Sequence, residues 1–313
     1  AYEKKTGLLD GVKPARRLND RRFDLLLHMQ ASWRANALAY RVPAKTKLGF
    51  DFRRARDGQW LFTNQRIAPN PRAHVAEGFL SFGDALHIAR GTPRWDIPLS
   101  DADRAFARAQ IPQAQGALII SPCSSQRARN FRNWPADRYA AVARAAMEQH
   151  GLRVILTGGR SELERQYADE IRRLAGSEVI DLIGQTSLKQ LLALIARAFA
   201  VLAPDSGPVH MATTVGTPAI GLYATSNPAR TGPLDSRWTV SVYEQALGQF
   251  KNATSDQVRW GQRVRDPAAL ELITVDAVLD KIHQLQSTAP QDRHPLSELT
   301  AKQAATQNNP THR

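Results

Sequence analysis

Phe199-Ala200-Val201-Leu202-Ala203-Pro204-Asp205-Ser206-Gly207-Pro208-Val209-His210 passes from a short apolar, β-rich run directly into residues that open a helix. In an open parallel sheet that junction is where ligands bind, because free helix N–H groups and the macrodipole favour an anion there. Gly207 lets a phosphate approach the backbone, Ser206 offers a hydroxyl, and Pro208 suits a first helical turn. His210 falls one turn in, facing the same crevice. Asp205 would repel a phosphate, so its expected partner is a sugar hydroxyl. Spacing alone also fits an ordinary Asp/Ser helix cap followed by a helix-face histidine.

Outward from this stretch, apolar runs alternate with amphipathic helical patterns, the signature of βαβ units and a parallel sheet. Strands are expected at 117–121, 153–157, 179–182, 199–203 and 219–223. Pro135 opens one helix and Gly151 closes it; Ser161 and Glu164 form a capping box for the next, which ends at Gly176. Ser187 caps a third, with Leu188, Leu191, Leu192 and Ile195 as its buried stripe. The first half reads as the later part of a second α/β domain, with strands at 23–28 and 47–50 and helices at 32–40 and 74–86. The fold class is α/β with parallel sheets. The expected domains are 1–108 and 109–286, with a linker inside 91–116 and a tail at 287–313, rich in Gln, Thr, Pro and Asn, that reads as disordered.

A net charge of +13 predicts attraction to polyanions: nucleic acid, an anionic lipid surface or a phosphorylated substrate. The basic residues fall in groups: Lys13, Arg16, Arg17, Arg21 and Arg22; Arg53, Arg54 and Arg56; Arg127, Arg129 and Arg132. The first group reads as a solvated helix face. One cysteine, Cys123, makes no internal disulfide and reads as a small half-buried residue in a reducing, cytoplasmic setting. No Cys/His cluster has metal-ligand spacing, no apolar run reaches the ~18 to 20 residues of a membrane span, and no signal-peptide pattern opens the chain. The chain begins Ala1-Tyr2-Glu3-Lys4-Lys5, and its first apolar strand arrives only at Phe23, which reads as an absent amino-terminal piece.

The segment from Ser121 through Cys123, Ser124, Ser125, Arg127, Arg129 and Arg132 to Trp134-Pro135 also joins a strand to a helix, and its hydroxyls and arginines suit a phosphate clamp. A solvated basic loop is the alternative. Neither G-x-G-x-x-G nor G-x-x-x-x-G-K-[ST] occurs, which argues against dinucleotide dehydrogenases and P-loop NTPases. Asp101-Ala102-Asp103 imitates a metal-binding D-x-D but reads as helix-start charge, with Phe106 on the inner face. Ser206 and His210 lack the G-x-S-x-G elbow of a hydrolase.

Together, 121–135, Leu156-Thr157-Gly158-Gly159, Asp181-Leu182-Ile183-Gly184-Gln185-Thr186-Ser187-Leu188, Asp205 to His210, Pro218 and Asn227-Pro228-Ala229-Arg230-Thr231-Gly232-Pro233 resemble glycosyltransferase family 9. That family includes the ADP-heptose:lipopolysaccharide heptosyltransferases. Residues 23–30 and 47–51 resemble its acceptor domain.

The resemblance implies a GT-B fold of two facing Rossmann-like domains, the amino-terminal one incomplete here. It implies an inverting, metal-independent transfer of heptose from ADP-heptose to the Kdo/heptose inner core of lipopolysaccharide, with no cofactor. Carried over, Arg132 matches the residue that neutralises the pyrophosphate, with Ser124 and Ser125 beside it. Thr186 and Leu188 border the adenine, and Glu162 meets the ribose. Asp205, Ser206, Gly207 and His210 hold heptose and phosphate. Arg34 and Arg56 resemble acceptor-side basic residues. The family's general base is an aspartate in a Gly-Asp loop after the first strand. That loop is expected to be missing, leaving the catalytic residue unknown and this chain inactive. Leu80-Ser81-Phe82-Gly83-Asp84-Ala85 imitates the loop but continues a helical pattern. Relatives carry Gly where this chain has Ala224.

The resemblance further implies a cytoplasmic protein, peripheral at the inner membrane, whose partners are the nucleotide-sugar donor, the lipid A-core saccharide and the anionic membrane surface, without nucleic acid. The alternatives are another nucleotide sugar, or a non-catalytic basic protein binding nucleic acid or another polyanion through a degenerate pocket.

Overall fold

The computed structural model describes residues 18, 21–91, 93–114, 116–124, 130–234 and 236–293. Lys13, Arg16, Arg17, Ser125, Arg127, Arg129 and the tail from 294 lie outside them. The chain divides into two compact units, 1–91 and 92–313.

In the first unit β1 (Phe23–Leu27), β2 (Ala44–Gly49) and β3 (Gln65–Arg66) form a parallel sheet in that order. Helix α1 (Trp33–Arg41) follows β1, capped by Ser32, and α2 (Val75–Ala85) follows β3, capped by His74. Leu48, Ile67 and Phe82 are its buried apolar core, with Leu25, Met29, Phe50 and Leu86 packed around them. Asp84 sits on α2, as its helical pattern predicts, and not in a strand-end loop.

In the second unit β4 (Ala117–Ile120), β5 (Arg153–Gly158), β6 (Ile180–Ile183), β7 (Ala200–Pro204), β8 (Ala219–Tyr223) and β9 (Val240–Ser241) make a fully parallel sheet ordered β6-β5-β4-β7-β8-β9. Within the unit this is the 3-2-1-4-5-6 order of a dinucleotide-fold domain, whose strand order reverses between β4 and β7. Alternate side chains serve two cores. Leu118, Ile120, Val154 and Leu156 pack with α4 (Ala136–Glu148), α5 (Glu162–Ala175) and α10 (Val275–Ser287). Ala117, Ile119 and Ile155 face α3 (Asp101–Gln110), α6 (Leu188–Arg197) and α7 (Gly207–Thr214). Because both faces are covered, β4 is apolar at every position rather than alternating.

The expected strands all form. The capping boxes at Ser161/Glu164 and Ser187/Gln190 are made, and Gly176 caps α5 with φ 111°. Gly151, left-handed at φ 63°, turns the chain after α4. A third box, Ser100/Asp103, opens α3 and uses the aspartates of the D-x-D imitation as helix-start charge.

The sequence reading and the structure part at three places. Helix α3 lies against α6 in the second unit, so the units divide at 91/92 and not near 108. Beyond 286, α10 reaches Ser287 and a 3-10 turn (Pro290–Arg293) follows, with the Arg293 guanidinium 5.2 Å from the Phe199 ring centre. Leu188, assigned to the buried stripe of α6, is 77% exposed because it is the first residue after the cap; Leu191, Leu192, Leu194 and Ile195 carry the stripe.

Candidate functional site

Parallel strands end on one edge of their sheet, so the loops after β4, β5, β6, β7 and β8 gather at the carboxyl edge of the second unit. The crevice where the strand order reverses lies between the β4 and β7 loops. At its base, Ser121 Oγ and Thr157 Oγ1 share a buried hydrogen bond of 2.6 Å that ties β4 to β5.

The β4–α4 loop closes on itself through two asparagines. Ser124 N donates to Asn133 Oδ1 at 2.9 Å, and Ser124 Oγ lies 2.9 Å from Asn130 Oδ1. Asn130 Oδ1 also accepts from Arg132 Nε at 3.2 Å, aiming the guanidinium across the reversal point. There Arg132 Nη1 donates to the Asp205 carbonyl at 2.8 Å and stands 3.6 Å from its carboxylate. Two motifs 73 residues apart thus meet at the point where the strand order of this sheet reverses. Two residues on, Trp134 is fully buried and Trp134 Nε1 donates to the Ile273 carbonyl at 3.1 Å, anchoring the loop's far end.

Asp205 is buried and its carboxylate is already engaged, since Ser226 Oγ donates to Oδ2 at 2.7 Å. Ser226 was not singled out by sequence. Its nearest signal is the adjoining Asn227-Pro228 pair, and only the pairing of β7 with β8 brings it to Asp205. Tyr223, at the end of β8, has a buried hydroxyl with no partner among the described residues, and burial together with the Asp205 charge holds that phenol protonated. Ala224 is buried in the core, where a methyl is accommodated.

Ser206 caps α7 from an extended conformation, but its Oγ donates back to the Pro204 carbonyl at 3.1 Å and makes no cap bond to the helix. A Cβ on Gly207 would meet nothing within 4 Å. Neither backbone conformation nor packing therefore demands glycine there, and the space above this helix start is open to a ligand. His210 is exposed one turn further on α7.

The other candidates line the same edge without touching this centre. Glu162 is exposed on the first turn of α5, where Gln166 Nε2 approaches it at 3.3 Å. Its neighbour Glu164 instead holds the loop, accepting from Gly159 N at 2.6 Å. A Cβ on Gly158 would lie 2.8 Å from Ile183 Cδ1 and 2.9 Å from Glu164 Oε1, so any other residue there would make both side-chain ends shift. Asp181 accepts from Ile183 N at 3.0 Å and pairs with Arg165, building the turn that presents half-buried Thr186 and exposed Leu188.

Cys123 is half-buried, and burial, then the Glu164 charge, push its thiol up to about 12. It should stay protonated throughout neutral pH. Alkylation by iodoacetamide at pH 8 is expected to run well below the rate of a free thiol in small peptides; labelling at the free-thiol rate would contradict the assignment.

In the first unit, Arg34 and Arg56 are both exposed and flank a single tie: Trp33 N donates to Asp57 Oδ2 at 3.1 Å, and Asn36 Nδ2 to the Asp57 carbonyl at 2.7 Å. Buried His28 hydrogen-bonds Asn36 at 2.8 Å, and its burial lowers its pKa, so the ring is neutral at pH 7. Asp84 is gripped by Arg90 through two hydrogen bonds of 2.8 and 2.6 Å. Asp84→Asn is expected to leave donor affinity unchanged, and turnover too in a protein competent for transfer; loss of turnover in a folded variant would restore the aspartate as a base.

The structure resembles that of a glycosyltransferase family 9 protein from Veillonella parvula DSM 2008 at TM-score 0.68 and 19% identity, covering 90% of this chain and 80% of that one. It also resembles E. coli heptosyltransferase WaaC with ADP at TM-score 0.64 and 16% identity, covering 88% and 77%. That likeness is one of fold, the GT-B class built from two Rossmann-like domains. In sequence the chain is 38% identical to lipopolysaccharide core heptosyltransferase OpsX of Haemophilus influenzae over 287 residues, 91% of this chain and 81% of that one. The model of glycosyltransferase family 9 (heptosyltransferase) matches residues 12–257. That match spans both segments that meet across the β4/β7 crevice, and the chain belongs to glycosyltransferase family 9.

Proposed function

We propose that this chain is an inverting heptosyltransferase that moves heptose from ADP-heptose onto the Kdo/heptose inner core of lipopolysaccharide. The observation that carries the reading is the Arg132–Asp205 junction at the reversal point of the sheet, beside the open helix start at Gly207. A diphosphate placed there meets a guanidinium from one side and helix N–H groups from the other.

The reaction is a single displacement at the anomeric carbon. An acceptor hydroxyl attacks, its proton passes to a base, and the carbon–oxygen bond to the nucleoside diphosphate breaks with inversion. Arg132 and the start of α7 stabilise the departing diphosphate electrostatically, the role a metal ion plays elsewhere. Asp205, held by Ser226 and Arg132, is oriented to accept a hydrogen bond from a sugar hydroxyl. Asp84 and Asp205 are each engaged by an arginine, so neither is assigned as the base. Ser124 shapes the clamp, His210 reaches the phosphate side, and Glu162, Thr186 and Leu188 line the nucleoside side, Leu188 offering an exposed apolar surface to a base. Arg34 and Arg56 meet acidic groups of the acceptor. No described helix is long and apolar enough to cross a membrane. We place the protein at the cytoplasmic face of the inner membrane, held by its basic charge against anionic lipid.

Calorimetric titration with ADP, UDP and GDP, then with ADP-heptose, tests this reading. Preference for ADP, tightened by heptose, is expected. Preference for UDP or GDP would replace the donor, and a folded chain that binds none of them would favour a degenerate polyanion-binding protein.

A further inference from the structure

The loop after β5 holds a guanidinium in place. Arg160 is exposed and stands one residue before the Ser161/Glu164 box that opens α5. An arginine in such a loop is ordinarily a solvated side chain that samples many rotamers, but this one is tied at both ends. Its backbone is clasped on either side by the Glu164 carboxylate, which accepts from Gly159 N at 2.6 Å and from Ser161 Oγ at 2.6 Å. Its side chain lies across Gly184 at the end of β6, and Arg160 Nε donates to the Gly184 carbonyl at 3.1 Å. Gly184 is left-handed at φ 72°, and a Cβ there would stand 3.0 Å from Arg160 Cγ, so conformation and close approach both call for glycine. Arg160 thus bridges the two loops that carry Glu162 and Thr186, each two residues beyond one end of the bridge.

The anchor uses only Nε. Nη1 and Nη2 meet no partner among the described residues, because the nearby carboxylates are engaged elsewhere, Glu164 by its own loop and Asp181 by Arg165. A planar fork held at its stem and open at its tip is a preorganised contact, either for an anion or for the face of an aromatic ring. Position decides between them. With the strands ordered β6-β5-β4-β7, the β5/β6 junction lies two strand spacings, about 10 Å, from the β4/β7 reversal point where Arg132 stands. That is the reach from a diphosphate through a ribose to its base, and too far for a second grip on the same phosphates. We propose that Arg160 is a further donor-binding residue whose guanidinium plane stacks on the nucleobase. The proposal rests on the nucleotide-sugar reading of the crevice, which places the diphosphate at Arg132 and Gly207. It adds a cationic face at the base end, where Leu188 offers only an apolar one.

Titration of the full chain with ADP, adenosine and pyrophosphate, followed by calorimetry and, for adenosine, by NMR, tests this in the parent, Arg160→Gln and Arg160→Ala. Glutamine places its amide nitrogen where arginine has Nε, so it keeps the donor for the Gly184 carbonyl and removes the fork. Arg160→Gln is expected to weaken ADP and adenosine about tenfold each, and to leave pyrophosphate affinity and the unfolding midpoint unchanged. A glutamine variant that binds ADP as tightly as the parent overturns the proposal; if alanine alone then weakens binding, Arg160 is a tie between two loops and not a ligand contact. Equal losses for ADP and pyrophosphate overturn the base contact in favour of a phosphate contact. A folded parent that binds none of the three ligands overturns the donor reading itself, and Arg160 with it, which separates that failure from one seen only in the variants.

Discussion

In a protein competent for transfer, Arg132→Ala is expected to lower kcat/KM for the nucleotide-sugar donor by about 10²- to 10³-fold, the usual cost of removing one electrostatic contact to developing negative charge. The guanidinium is held at two points, by Asn130 and by the Asp205 carbonyl, so it is aimed before the donor arrives. That preorganisation is what a positively charged but mobile side chain would lack. Arg132→Lys keeps the charge and loses the fork, and should recover only part of the rate. Asp205→Asn keeps the shape and removes the carboxylate. Because both side chains are largely buried and 3.6 Å apart, the double variant should fall short of the product of the single effects. Steady-state kinetics and ADP calorimetry on the parent and the four variants check this, with near-UV circular dichroism confirming that each variant is folded. Unchanged turnover in a folded Arg132→Ala protein, or strictly independent effects at the two sites, would remove the clamp from the mechanism.

Local chemistry made much of this architecture legible. Each expected strand is a short β-rich apolar run, and the helix starts at Ser161 and Ser187 carry a serine with an acceptor three residues on, so pattern and caps agree there. The helix start after β7 is legible from Pro208 in first-turn position behind the apolar run, whereas only the structure shows that Gly207 has no packing duty. What stayed hidden was pairing at a distance. The amphipathic pattern of α3 says that it buries a face but not against which helix, so the boundary expected near 108 falls at 91/92 instead. Ser226 touches Asp205 only because β7 and β8 are neighbours in the sheet, and no local signal carries that adjacency. Asn130 and Asn133 read as loop polarity until the loop is closed. A periodic stripe does not distinguish the first helical residue, still outside the packed turn, from those that follow, which is why Leu188 is exposed where the stripe expects burial.

Trp134→Ala is expected to destabilise the carboxy-terminal unit by about 3–5 kcal/mol, the range for deleting a buried aromatic side chain. Trp134 is fully buried, meets the Tyr139 ring edge-on at 5.0 Å, and joins the start of α4 to the backbone before α10 through Ile273. Arg138 donates to the same carbonyl at 2.6 Å, so the aromatic and the arginine together fasten two elements far apart in sequence. Truncation leaves a cavity under the loop that carries Arg132, and donor affinity should fall with stability even though Trp134 is itself fully buried. Trp134→Phe separates the two effects. It keeps most of the packing, loses the Nε1 hydrogen bond at a cost of about 1 kcal/mol, and leaves the Ile273 carbonyl its bond from Arg138. Denaturant unfolding should therefore give a large fall in midpoint for alanine and a small one for phenylalanine, with similar slopes, while ADP affinity drops only in the alanine variant. If phenylalanine lost donor affinity as fully as alanine, the hydrogen bond to Ile273 rather than the packed volume would be what positions Arg132. If alanine kept both stability and affinity, the loop would be positioned from the Asn130 side alone.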